Sequence, residues 1–198
     1  LILISCGYAT HMLKQIIIGG IVGGITLFVW GFVSWFVLTW HFDTIRQDEG
    51  IHAVVENVTE HLPEAGVYFY PPMTETHRTE EGGAEAWAEL HRSGPHGYVV
   101  VQPNGSEPMA PITLAKGFVA DVVAAMMASL LLIAALSSLR NYRARVVFVA
   151  SLGVFAILSG YIVDGIFHDF PIRYTVGLAA DTAIAWTLAG LAIGAVVK

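Results

Sequence analysis

Four stretches of this chain are long and apolar enough to cross a hydrocarbon core, which takes about 20 residues of helix, and they constrain everything else. Residues 15–40 contain the charge-free run IIIGGIVGGITLFVWGFVSWFVLTW. Residues 112–139 are interrupted only by Lys116, near their start, and by Asp121. Residues 146–167 carry Asp164 near their end, and residues 174–197 carry Asp181 less than halfway along. Buried core helices of a soluble domain are the competing reading. Four runs of this length with so little charge argue against it. Composition agrees: of 198 residues 55% are hydrophobic and 13% charged, where a soluble domain carries about 25% charged.

Orientation follows from the cations, because short basic loops stay cytoplasmic. Residues 140–145 hold Arg140, Arg143 and Arg145, the densest basic stretch in the chain. Lys14 precedes the first span and Lys198 closes the fourth. The expected topology therefore has both termini inside, residues 1–14 as a cytoplasmic segment and residues 140–145 as a cytoplasmic loop. Residues 168–173 form a short outer loop whose Arg173 dissents from the rule, and residues 41–111 lie outside. Met12-Leu13-Lys14 reads as a natural start, which would make residues 1–11 an extension to the native chain. Leu3-Ile4-Ser5-Cys6 as a lipoprotein cleavage box is the rival, but it lacks a charged n-region and a full apolar h-region. Cys6 is read as incidental, and one cysteine excludes both an internal disulfide framework and a cysteine-rich zinc module.

Charge is concentrated in the outside insertion. Of 16 acidic residues, 12 lie between His41 and Pro111, against Arg46, Arg78 and Arg92. The net charge of −6 argues against a nucleic-acid partner, which would need a basic face. Ile51, Val54, Val55, Val58 and Leu62 recur at helical spacing after Asp48-Glu49-Gly50. Gly66 to Tyr70 and Gly97 to Gln102 read as strands, stopped by Pro71-Pro72 and Pro103-Asn104-Gly105, and Ala84 to Arg92 as a short helix. The expected fold is a mainly α membrane protein of four transmembrane helices, with a small α+β extracytoplasmic domain between helices 1 and 2. A domain so small is marginal alone, so Tyr68, Phe69, Tyr70, Trp87 and Tyr98 are its candidate core or contact residues. The sequons at Asn57 and Asn104 matter only in a secretory pathway.

Within the first span, Gly19, Gly20, Gly23 and Gly24 form overlapping small-xxx-small pairs, a surface on which another helix approaches closely. The contact is either with a partner or internal to the bundle. Trp30, Trp35 and Trp40 follow in the outer half and suit the aromatic belt, with Trp30 deep enough to pack between helices or against a bound pigment or quinone. The sharpest feature is the set of intramembrane carboxylates. Asp121 lies about nine residues, or roughly 13 Å, into the second span from outside, and Asp181 about seven residues into the fourth. Asp164 sits near the outer end of the third. Antiparallel threading puts all three in the outer half, where Lys116, His168 and Arg173 are candidate partners of an intramembrane polar cluster. One reading of that cluster is a proton, cation or ligand site opening outward, and the other is an ion-pair network that fixes helix packing. Packing is preferred, because no ionisable residue continues a path through the cytoplasmic half.

Histidine abounds outside, at His41, His52, His61, His77, His91, His96 and His168. The spacings Met73-x3-His77 and His91-x4-His96 match no recurrent ligand set, and HExxH is absent, so no metal site or cofactor is predicted. Neither GxSxG, a P-loop nor GxGxxG occurs, and no catalytic residue is assigned.

The run from Trp30 to His41, WGFVSWFVLTWH, resembles a stretch of an uncharacterised family of small bacterial four-span inner-membrane proteins. The Gly66 to Tyr70 strand and a closing span with Tyr174-Thr-Val-Gly-Leu-Ala-Ala-Asp181 and Trp186 extend the likeness over most of the chain from Met12, although Thr39 stands where such proteins carry proline. The resemblance implies a bacterial inner-membrane location, with residues 41–111 periplasmic, and supplies no activity. The expected role is a non-catalytic accessory or assembly subunit, packing against other membrane subunits or a second copy through the glycine face. A small transporter or ligand-binding protein using the aspartates is the alternative, and periplasmic metal handling a third.

Overall fold

The computed structural model describes the backbone of residues 2–198 and, Thr59 apart, the side chains from Thr10 onward. The reading at Cys6 lies outside the described side chains. In chain order, helix α1 (Ile2–Phe32) continues into a π-helical turn, Val33–Val37, and a 3-10 turn, Thr39–His41. Helix α2 (Ile51–His61), strand β1 (Gly66–Tyr70), helices α3 (Glu75–Thr79) and α4 (Gly83–Ser93), and strand β2 (Gly97–Val101) follow. Helix α5 (Pro111–Ala135) leads to α6 (Tyr142–Ala156), which passes through a second π segment, Ile157–Ile162, into α7 (Val163–Phe167). Helix α8 (Ile172–Val196) closes the chain. Four helical stretches, Thr10–Val37, Pro111–Ala135, Tyr142–Phe167 and Ile172–Val196, are long and apolar enough to cross a membrane.

These bounds differ from the expected spans where local chemistry intervenes. The first helical stretch ends at Val37, short of Trp40, because Leu38 turns extended (φ −90°, ψ 120°). Arg143 and Arg145 lie in the first turn of α6 rather than in a loop, because the Asn141 side chain caps that helix by accepting from the Ala144 N–H at 2.8 Å. Arg173 likewise belongs to the first turn of α8, which Pro171 precedes. Proline at the first position of α5 opens that helix where its missing N–H costs nothing.

The chain divides into two compact units. The first comprises residues 1–46, 108–166 and 170–198 and contains the four long helical stretches. In it α1 packs against α5 and α8, and α8 packs on α6. Small and large residues alternate at the centre: Ala125 and Ala128 of α5 and Ala189 of α8 are buried with Leu27, Leu132, Val149, Ile193 and Val197. Small side chains let the helix backbones approach closely and gain dispersion contacts. The start of the first helical stretch and the end of the last meet near the connection between α5 and α6. There Gln15 Nε2 donates to the Lys198 carbonyl and Arg145 Nη1 to the Val197 carbonyl, both at 2.8 Å.

The second unit comprises residues 47–107 with 167–169. Strands β1 and β2 pair antiparallel, with Phe69 opposite Tyr98 and Val67 opposite Val100. On the same face Phe69 meets Tyr98 at 4.9 Å between ring centres and Trp87 of α4 at 6.5 Å. The Trp87 indole donates to the Pro71 carbonyl at 3.0 Å, tying the helix to the strand end. Gly82 (φ 77°) and Gly94 (φ 64°) bracket α4 in left-handed conformations that favour glycine. Among the described residues no other helix or strand packs extensively on α2, and its Ile51, Val54 and Val55 stay exposed.

Candidate functional site

The polar centre of the first unit forms where α1 stops being an α-helix. In the π turn the Leu38 N–H reaches back five residues to the Val33 carbonyl at 2.9 Å. That leaves the Ser34 carbonyl without its usual helical partner, and the Trp40 indole N–H serves it instead at 3.2 Å, donating also to Ser34 Oγ at 2.9 Å. The 3-10 turn then swings His41 back under the helix end, where its ring stacks on Trp35 with centres 3.9 Å apart and planes 4° from parallel. His41 Nε2 lies 3.0 Å from Ser34 Oγ and 3.7 Å from Asp181 Oδ2 of α8. The second carboxylate oxygen, Oδ1, accepts from the Trp30 indole at 2.7 Å. Ser34 is 0% exposed and His41 3%.

A serine, a histidine and an aspartate so close together invite comparison with a hydrolytic triad, and the geometry argues against it. In a triad the acid orients one ring nitrogen while the other takes the serine proton. Here Asp181 and Ser34 face the same nitrogen, Nε2, and the serine is sealed from any substrate. An N–H at Nε2 faces both the serine oxygen and the carboxylate, so this tautomer suits the site. What the arrangement does is close the end of α1 onto α8 with nearly every polar group occupied.

The expected polar cluster is thus distributed over separate places. Asp181 meets Trp30 and His41. Asp121 lines a different cavity, walled by aromatic residues of the first helical stretch. Asp164 begins α7. His168 belongs to the second unit, where its ring meets Tyr98 edge-on at 5.0 Å, and neighbouring Asp169 lies 3.0 Å from His96 Nε2. Among the described residues neither Lys116 nor Arg173 forms an ion pair. Of the three tryptophans of this segment, Trp30 and Trp40 donate their N–H groups within the unit, and Trp35 is partly exposed.

The glycines pack within the chain. A Cβ on Gly24 would meet the Val122 backbone nitrogen at 2.8 Å, and one on Gly23 would meet Ala125 at 2.8 Å and Ile193 at 2.7 Å. Gly19 and Gly20 press on Ser129 and Met126 of α5. The face offered by the sequence to a partner is therefore covered by α5 and α8.

Sequence reasoning passed over Ser34 and read His41 only as one of the outside histidines, whereas it is buried in the helical unit. Their signal was present: two polar side chains seven apart at the end of an otherwise apolar run. In a regular helix positions i and i+7 stack two turns apart, about 10.5 Å, and only the π and 3-10 turns bring them together.

In the second unit the rings of His91 and His96 stack with centres 4.4 Å apart. Among the described residues no three His, Cys, Asp or Glu side chains gather closely enough to hold a metal ion. Compared with protein-family models, curated proteins and solved structures, the chain finds no match in any of the three.

Proposed function

We propose that this protein is a non-catalytic accessory or assembly subunit of a bacterial inner membrane, and that it meets its partner through the water-facing module. The observation that carries the reading is the uncovered apolar surface of the second unit. Ile51, Val54 and Val55 are each more than half exposed along one side of α2, and the cross-strand pair Val67 and Val100 is exposed at 68% and 76%. A marginal module gains nothing by offering such surface to water, and patches of this kind mark interaction sites. The glycine face is already occupied by α5 and α8, so a partner's docking falls to the module. The sealing of Ser34 and His41 supports the non-catalytic part of the reading.

Both termini are placed in the cytoplasm and residues 41–111 in the periplasm. Support comes from the sequence positions of Lys14, Arg140, Arg143, Arg145 and Lys198, which flank the spans at the ends not joined to the acidic insertion. Mild detergent extraction of native membranes tests the role. The chain should migrate in an assembly larger than itself, and Val54→Glu should release it to its own size while the helical unit melts unchanged. A wild-type chain that migrates alone would overturn the proposal.

A further inference from the structure

The cavity that Asp121 lines is a built site of a kind the accessory role does not require. It encloses about 210 Å³ between the first helical stretch and α5. Its walls include Phe28, Phe32, Trp35 and Phe36, and Asp121 is the one charged group among the lining residues. Phe32 and Phe36 stack with centres 5.3 Å apart, and Phe28 meets Phe118 edge-on at 5.5 Å, so the aromatic wall is ordered by its own contacts. Gly31 also lines the cavity, and a Cβ there would meet nothing within 4 Å, so the space beside it is open. Phe32 and Phe36 are more than half exposed, which leaves the cavity open at the surface of the unit.

Among the described residues Asp121 has neither a hydrogen-bond nor an ion-pair partner, in contrast to Asp181. Its position, ten residues after Pro111, is about 15 Å along α5. An isolated carboxylate at such a position is costly in hydrocarbon and marks a functional site by default. The walls select the ligand. Aromatic faces carry partial negative charge and attract cations whose own hydration is weak. A metal ion would need several oxygen or nitrogen ligands and finds one carboxylate among carbon atoms. A lipid headgroup held at the interface would not reach this depth. The geometry points to Asp121 and the aromatic wall of the first helical stretch as a binding site for a small hydrophobic organic cation, an alkylated ammonium, entering from the side of the bundle.

Equilibrium binding of tetraethylammonium to the full chain in lipid nanodiscs tests the site, with empty nanodiscs correcting for partition into lipid. The wild type should bind saturably. Asp121→Asn should bind tenfold or more weakly, and Asp121→Glu should restore binding. Saturable binding that Asp121→Asn leaves unchanged, or no saturable binding by the wild type, overturns the site. Gly31→Leu keeps the inference decidable if Asp121→Asn does not accumulate. Its side chain enters open space, so the fold should be kept while binding falls at least tenfold, and unchanged binding in a folded Gly31→Leu protein again overturns the site. Release of the chain from its assembly by Val54→Glu is measured independently, so either proposal can fail without the other.

Discussion

At the scale of single residues, the Trp30–Asp181 hydrogen bond is the contact on which the join between α1 and α8 turns. Asp181 accepts from Trp30 at 2.7 Å and faces His41 at 3.7 Å, so removing its carboxylate strands the indole N–H and leaves the buried imidazole with Ser34 alone. Hydrogen bonds between membrane helices are worth about 0.6 kcal/mol on average and up to about 1.7 kcal/mol. Asp181→Ala is expected to cost toward the upper figure, because the Trp30 indole loses its acceptor and the buried His41 ring its carboxylate neighbour, keeping only Ser34. Asp181→Asn keeps an amide oxygen for Trp30 and should cost less than half as much. Trp30→Phe in the Asp181→Ala background should add little, since the interaction is already gone. Thermal melting of the wild type, Asp181→Ala, Trp30→Phe and the double variant in one detergent supplies the cycle, and additive losses would show that the two side chains act separately. This bond was not legible in the sequence. Trp30 read as a belt or packing residue and Asp181 as one member of a carboxylate cluster, because the pairing depends on how α1 and α8 are rotated about their axes.

At the scale of elements, two kinds of glycine in α1 make opposite predictions. Gly24 faces the backbone of α5, with Val122 nitrogen at 2.8 Å from a would-be Cβ and Val122 Cα at 2.7 Å. Backbone cannot yield as a side-chain end can, so Gly24→Ala must push the helices apart and should cost about 1–3 kcal/mol, as overpacking does. Gly31 is in the same helix with nothing within 4 Å, and Gly31→Ala should be neutral or stabilise by about 0.5–1 kcal/mol through reduced backbone freedom. Equilibrium unfolding of both variants in a mild detergent would decide it, and equal effects would mean that α1 and α5 do not pack through Gly24. The glycine pattern itself was plain in the sequence, as were four apolar runs and the strands around Phe69 and Tyr98. Their partner was not: a small-xxx-small face looks the same whether the helix that covers it belongs to the chain or to another. The π turn was equally hidden, because Ser34 and Trp35 interrupt the apolar run no more than Thr26 and Trp30 do before them.

At the scale of the whole molecule, the chain is two materials, and their division predicts an experiment. Twelve of 16 acidic residues lie in residues 41–111, while Arg140, Arg143 and Arg145 lie in and beside the short connection between α5 and α6. Short basic connections remain cytoplasmic whereas acidic residues contribute little to orientation, so the three arginines should fix the direction of insertion. With Cys6 replaced by serine, a cysteine placed at Glu56 of α2 should react with a membrane-impermeant maleimide added to spheroplasts. A cysteine placed at Ser138, in the turn after α5, should react only once the membrane is opened. Reversal of that pattern would mean that Arg173, the cation at the far end of α8, outweighs the loop, and reaction at both positions in sealed spheroplasts would mean that the second helical stretch does not cross. Neutralising all three arginines to glutamine should raise labelling at Ser138→Cys in sealed spheroplasts. Replacing Glu56, Glu60 and Glu64 by glutamine should leave the pattern as it was, which separates a direction set by cations from one set by the net charge of the module.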